Sequence, residues 1–324
     1  MAYTNFKSNL LECRLCPHNC SIKDGSFGIC SVRKNEKSEL KLPFKGLLSA
    51  INIDPVEKKP LYHFFPGSNV LSIGFYGCNF HCQFCQNHTI SQNTPSDVNS
   101  KPMAPAELIS LAVKNGLDFI AYTYSEPVIH FEYILECAIL AHTRGIKNIL
   151  VTNGFLNPLP AKELLSVIDG VNIDLKSFNN TFYSEIGGNI EPVKNFINIA
   201  SKLCHTEVTT LIIPGKNDSE KEIVEISGFI ASINPDIPFH LSCYYPSYKY
   251  KISATSVKEV LKLTKKASEL LHYVYPGNIG TKDIITKCIN CGNTLITRQG
   301  YTVFTDGIIN KRCSNCGTLI PFPV

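Results

Sequence analysis

Between residues 70 and 275 the sequence repeats one pattern, an apolar run rich in Val, Ile and Leu followed by a stretch with apolar residues at helical spacing. This alternation is the tightest constraint on the fold. Repeated strand–helix units bury both faces of a sheet when the strands run parallel and the helices pack over them. The strand-like runs are 70–76, 119–124, 148–152, 170–175, 207–213 and 238–244, with helical periodicity at 104–115, 129–144, 158–168, 192–203 and 219–233. Six such units are fewer than the eight of a closed TIM barrel, so the expected fold is α/β, a partial (β/α)6 TIM-like barrel. Chemistry in such folds gathers at the C-terminal ends of the strands.

The end of the first run carries the densest chemistry. Gly77-Cys78-Asn79-Phe80-His81-Cys82-Gln83-Phe84-Cys85 spaces three cysteines as Cys-x3-Cys-x2-Cys. Thiolates placed this way on one loop can wrap a cubane, each binding a different iron of a [4Fe–4S] cluster. Three protein ligands leave the fourth iron open to a small molecule. A closed zinc site needs four ligands, and the nearest candidates for the fourth, His81 and His88, would have to fold back onto the loop. The next three runs end in Tyr124-Ser125-Glu126-Pro127, Thr152-Asn153-Gly154 and Asp174-Leu175-Lys176. Asp174 and Lys176 also fit a solvent-facing ion pair, which is worth little. Ser125 fits a turn, and His240 fits either a ligand contact or a hydrogen-bonded core position.

Two more cysteine sets flank the repeats. Cys13, Cys16, Cys20 and Cys30 lie in a short, turn-rich stretch, where four thiolates would close a zinc site or carry an auxiliary iron–sulfur cluster. Cys288-x2-Cys291-Gly and Cys313-x2-Cys316-Gly form two knuckles around β-like residues, the pattern of a zinc ribbon or rubredoxin-like module. The expected division is therefore a cysteine-rich segment with its connecting loop at 1–68, the barrel at 69–280 and the ribbon at 281–324. The loop 54–68, with Asp54, Glu57, Lys58, Lys59, Tyr62 and His63, reads as a surface connector or as a wall of the site.

With 14 cysteines in clusters, the chain is expected to ligate metals in a reducing, cytoplasmic setting rather than to form disulfides. A net charge of +4 on 324 residues argues against a polyanionic partner such as nucleic acid. No signal peptide is read at the start, and no apolar run is long enough to cross a bilayer.

The loop of Cys78, Cys82 and Cys85, with Phe84 before the third cysteine, resembles the signature of the radical S-adenosylmethionine (radical SAM) enzymes. Together with the loop 54–68 and both flanking cysteine sets, it is similar to the radical SAM member of the AmmeMemoRadiSam system, a group often labelled pyruvate formate-lyase activating enzyme-like. The resemblance covers nearly the whole chain. It implies the partial barrel, a [4Fe–4S] cluster, SAM as cofactor and structural zinc in the ribbon. It also implies that Phe84, Tyr124, Ser125, Glu126, Thr152, Asn153, Asp174, Lys176 and His240 contact SAM. Glu126 would hold the ammonium, where the wider family has Gly-Gly-Glu, and Lys176 the carboxylate.

The expected activity is reductive cleavage of SAM to methionine and a 5′-deoxyadenosyl radical that abstracts hydrogen from a substrate. A ferredoxin or flavodoxin would supply the electron. The task is either activation of a glycyl radical enzyme or modification of a small molecule or protein beside a Memo-like partner. The alternative from another class is a non-catalytic metal-binding scaffold or zinc nucleic-acid-binding protein.

Overall fold

The structure, a computed structural model, describes residues 3–7, 10–92, 101–280 and 283–324. Eight strands form its main sheet: β1 (Ala50–Pro55), β2 (Asn69–Gly74), β3 (Phe119–Thr123), β4 (Lys147–Thr152), β5 (Gly170–Asp174), β6 (His205–Ile212), β7 (Phe239–Cys243) and β8 (Val274–Gly277). They follow one unbroken order from β8 to β1, with those two as edges. Strands β2 to β8 are parallel, and β1 runs antiparallel to β2.

All six expected strands are present, and two more join them. β8 reads as a loop in sequence because its four residues, Val-Tyr-Pro-Gly, include two turn formers. β1 lies within the segment assigned to the N-terminal piece, so the sheet begins at residue 50 and a boundary at 68 cuts through it. Pro55 is tolerated there because β1 is an edge strand.

The longer helices are α1 (Pro105–Lys114), α2 (Phe131–His142), α3 (Pro158–Leu165), α4 (Ile190–Ala200), α5 (Glu220–Ile233) and α6 (Val257–Ala267). Their starts follow from local chemistry. Proline occupies the first turn of α1 and α3, where no intrahelical donor is lost. Ser219 and Ser256 cap α5 and α6 by accepting from the amides of Glu222 and Glu259. The buried faces of these helices, such as Ile223, Ile226 and Ile230 of α5, share one core with strand residues including Ile73, Ile120, Leu150, Ile173 and Val208.

Both cysteine-rich ends are docked. The N-terminal piece is a three-stranded antiparallel sheet (Thr4–Lys7, Leu10–Cys13, Cys20–Ile22) followed by a hairpin (Lys34–Glu36, Glu39–Lys41). Arg33, only 2 % exposed, anchors it through a two-pronged bond to Glu132 of α2, at 2.8 and 2.7 Å. The tail folds as a three-stranded sheet (Ile284–Lys287, Thr294–Gln299, Thr302–Phe304) with a two-stranded piece (Ile308–Ile309, Arg312–Cys313). Its Leu295, Ile296, Ile320 and Phe322 pack on Tyr273 and Tyr275 at β8.

A buried polar knot ties tail and sheet together at the N-terminal ends of the strands. Glu207 of β6 accepts from the amides of Tyr62 and His63 and from the Nε2 atoms of His205 and His240, at 2.6 to 3.0 Å. His63 Nε2 meets the Tyr275 hydroxyl at 2.6 Å, and Thr286 of the tail links that hydroxyl to Arg298.

Candidate active site

The cysteine loop leaves β2 through Gly77, whose φ of +77° favours glycine. A Cβ there would also lie 2.6 Å from the carbonyl oxygen of Cys30. Phe80 is fully buried against Gly188 and pins the loop, and the His81 amide bonds the Ile186 carbonyl at 2.8 Å. His81 Nδ1 meets Gln92 at 2.9 Å, and His88 Nδ1 meets the Cys85 carbonyl at 3.2 Å. The sulfurs carry their own partners. The Phe80 amide reaches Cys78 at 3.3 Å, Asn153 Nδ2 reaches it at 3.9 Å, and Ser91 Oγ lies 3.3 Å from Cys85. Burial pushes the Cys82 thiol up to about 12 and Cys78 well above its ordinary value. Thiolates form in such a place when a cationic centre offsets the desolvation. Cys78, Cys82 and Cys85 all line one cavity, and three thiols on one loop are a donor set that fits an iron–sulfur cluster.

The loop roofs a cavity of about 330 Å³ at the C-terminal ends of the strands. Of the residues expected to contact SAM, Phe84, Tyr124, Ser125, Glu126, Thr152, Asn153, Asp174 and Lys176 all line it. His240 does not. It bonds Glu207 at 2.6 Å, while Ser242, two residues further along the same strand, lines the cavity. Alternate strand residues share a face, so His240 is on the right face but one layer too deep. The histidine is a member of the buried knot, and its assignment to SAM is corrected.

Glu126, 1 % exposed, accepts from Thr152 Oγ1 at 2.6 Å, the Asn153 amide at 2.8 Å and the Val128 amide at 3.2 Å. Burial raises its carboxyl to about 7, although these donors and Lys176 pull the other way. Lys176 Nζ sits 3.0 Å from Asp174. Burial disfavours the ammonium, but the negative charge of Asp174 outweighs it and raises the pKa. The cavity thus carries a buried carboxyl and a lysine paired with Asp174.

Tyr124 stands where a glycine is usual in the Gly-Gly-Glu pattern, and its φ is +74°. A side chain in this left-handed region costs about 1–2 kcal/mol. The Tyr124 hydroxyl donates to Asp54 at 2.7 Å, and Lys59 lies 4.8 Å from the ring centre, contacts that offset the strain. Asp54 also takes Lys59 at 2.8 Å and Lys58 at 3.2 Å. Through this cluster the loop after β1 becomes a wall of the cavity, with Lys58 and Lys59 in the lining.

Sequence reasoning missed Thr209 and Ser242, which also line the cavity. The available signal for Thr209 and Ser242 was a small polar residue inside an otherwise apolar strand. The Oγ atoms of Ser125 and Thr209 are buried without a protein partner, although both residues face the cavity. Buried hydroxyls are usually satisfied, so this pair suits a polar ligand.

The tail cysteines close tightly. Cys288, Cys291, Cys313 and Cys316 have sulfurs within 4.8 Å of one another, a spacing that suits one tetrahedral ion. The N-terminal cysteines also converge, with Cys13 opposite Cys20 across the hairpin and Cys16 close to Cys13, Cys20 and Cys30.

Comparison with known proteins agrees with this geometry. The sequence model described as Radical SAM superfamily matches residues 72–227. An uncharacterized protein of Methanocaldococcus jannaschii is 36 % identical over 99 % of this chain and 98 % of its own length. GTP 3′,8-cyclase of Lactiplantibacillus plantarum is 28 % identical over 44 % of this chain and 45 % of its own. Among solved structures, a radical SAM methyltransferase from Sphaerobacter thermophilus superposes with a TM-score of 0.51 at 14 % identity, over 66 % of this chain and 67 % of that one.

Proposed function

Because the chain belongs to the radical SAM superfamily, we propose that it cleaves SAM reductively at a cluster held by Cys78, Cys82 and Cys85 and uses the resulting radical to abstract hydrogen from a substrate. When bound, the cluster supplies an open iron for the amino acid end of SAM and the electron that breaks its carbon–sulfur bond. The observation that carries this reading is the single cavity that joins the three-thiolate loop to Glu126, Lys176 and two partnerless hydroxyls. Glu126 accepts from the amino group of SAM, and Lys176, as a point charge, holds the carboxylate. Thr152 and Asn153 orient Glu126 through the bonds they already donate. Phe84, buried against Phe182 and Tyr250, keeps bulk water from the loop. The resemblance to the AmmeMemoRadiSam enzymes supports a protein or small-molecule substrate handled with a Memo-like partner, and a ferredoxin or flavodoxin as donor.

The raised pKa of Glu126 gives a pH test. A carboxyl near 7 in the ligand-free protein is largely protonated in mild acid. Its contribution to folding stability is full below its unfolded value and is lost as pH rises through about 7. SAM needs the opposite, ionised form, so its affinity should fall by roughly tenfold from about pH 8 to about pH 6. Glu126→Gln should bind SAM roughly ten- to a hundredfold more weakly at neutral pH, because a charge-assisted bond is lost. It should also show no such pH dependence. Calorimetric titration of both proteins checks this, and affinity that is flat with pH in the parent chain would move the amino group of SAM away from Glu126.

A further inference from the structure

The four N-terminal cysteines form a built site. Cys13, Cys16 and Cys30 are 5, 8 and 7 % exposed, and Cys20 is half-buried. The backbone amides of the piece are aimed at the sulfurs: His18 at Cys16, Ile29 at Cys20, and both Val32 and Arg33 at Cys30. Four thiols gathered in a nest of amide donors are arranged for thiolates on a metal centre. Four thiols can close on one zinc ion, as the tail cysteines do within 4.8 Å, or each bind its own iron of a cubane. The contact of this set with the cluster loop favours the cubane.

The position of the module points to its use. His18, two residues after Cys16, places Nε2 2.7 Å from the carbonyl oxygen of Asn79. The Cys30 carbonyl presses on Gly77. Both contacts land on the immediate neighbours of Cys78. The His18 ring also meets Phe155 at 5.2 Å, and Phe155 meets Phe80 of the cluster loop at 4.8 Å. A short bonded path, packed on both sides, thus links the two cysteine sets.

We propose that Cys13, Cys16, Cys20 and Cys30 hold a second [4Fe–4S] cluster that relays electrons through the His18–Asn79 contact to the cluster of the Cys78 loop. A low-potential one-electron carrier of the ferredoxin or flavodoxin class reduces the second cluster from the 2+ to the 1+ state and is itself oxidised by one electron. That electron passes to the loop cluster, which goes from 2+ to 1+ as the second cluster returns to 2+. The relay rests on the function proposed above; the second metal site does not.

Anaerobic reconstitution of the full chain with iron and sulfide tests both parts. The wild-type chain should bind about eight irons, and the variant combining Cys78→Ala, Cys82→Ala and Cys85→Ala should keep about four. Once reduced, that variant should show an electron paramagnetic resonance signal that does not respond to SAM. Zinc in place of this iron, or a wild-type content of only about four irons with none left in the variant, overturns the second cluster. A wild-type signal with no component that responds to SAM overturns the radical SAM reading instead and leaves the second site standing. His18→Phe should retain the full iron content yet slow reduction of the loop cluster by reduced flavodoxin about tenfold or more. Reduction at the wild-type rate overturns the relay.

Discussion

Replacing Cys82 by alanine should abolish 5′-deoxyadenosine formation and remove the iron–sulfur signal that responds to SAM. The side chain is small and the loop is held by other contacts, through Phe80 against Gly188 and the His81 amide on Ile186, so the fold should survive. A cubane left with two protein thiolates has lost one of the three that keep it on the loop. The effect is the largest expected for any single substitution, from turnover to background. Cys137→Ala is the matched control. Cys137 is also a fully buried cysteine, but it packs in α2 near Tyr133 and lies outside the cavity. That variant should keep its cluster and its activity. Wild-type SAM cleavage by the Cys82 variant would show that the loop does not hold the catalytic cluster.

The second large effect falls far from the chemistry, on Glu207. Its carboxylate is completely buried, and burial alone would raise its pKa. The bonds from His205 and His240 outweigh burial and hold it well below the usual carboxylate range. Glu207→Ala strands the two histidine Nε2 atoms and the amides of Tyr62 and His63 without an acceptor. Removing one partner of a buried charged network costs about 3–5 kcal/mol, which should lower Tm by on the order of 10 °C. The depressed pKa sets the acid limit as well. The stabilisation is present above the unfolded value near 4.5 and is lost as pH falls through the lower folded value. Because the knot joins sheet, loop and tail at the end opposite the cavity, SAM cleavage by the still-folded variant at low temperature should be nearly unchanged. Thermal unfolding read beside activity separates the two, and a loss below about 1 kcal/mol would mean that the knot does not hold the tail to the sheet.

Much of this was legible in the residues. The six Val- and Ile-rich runs became strands because buried parallel strands need nearly continuous apolar residues. The polar residues after them reached the cavity because parallel strands bring their C-terminal ends to one side. What escaped did so for physical reasons. β1 and β8 are edge strands of mixed composition, stabilised by pairing with neighbours rather than by their own pattern. His240 and Ser242 lie on one strand face, and the depth that divides a knot residue from a cavity residue depends on the layer filled by Glu207 from the adjacent strand. Tyr124 looked like a departure from a glycine motif. The structure shows it keeping the glycine-like backbone while its hydroxyl ties the strand end to Asp54. The sequence assigns the ribbon its own segment at 281–324, yet its Leu295, Ile296, Ile320 and Phe322 share a core with Tyr273 and Tyr275.

The most direct test of the account is anaerobic incubation of the reconstituted, reduced chain with SAM, followed by chromatographic detection of nucleoside products. The account predicts 5′-deoxyadenosine and methionine in equal amounts, formed only with reductant present and not by the Cys82→Ala variant. A fully reconstituted chain that binds SAM but yields no 5′-deoxyadenosine under reduction would contradict it.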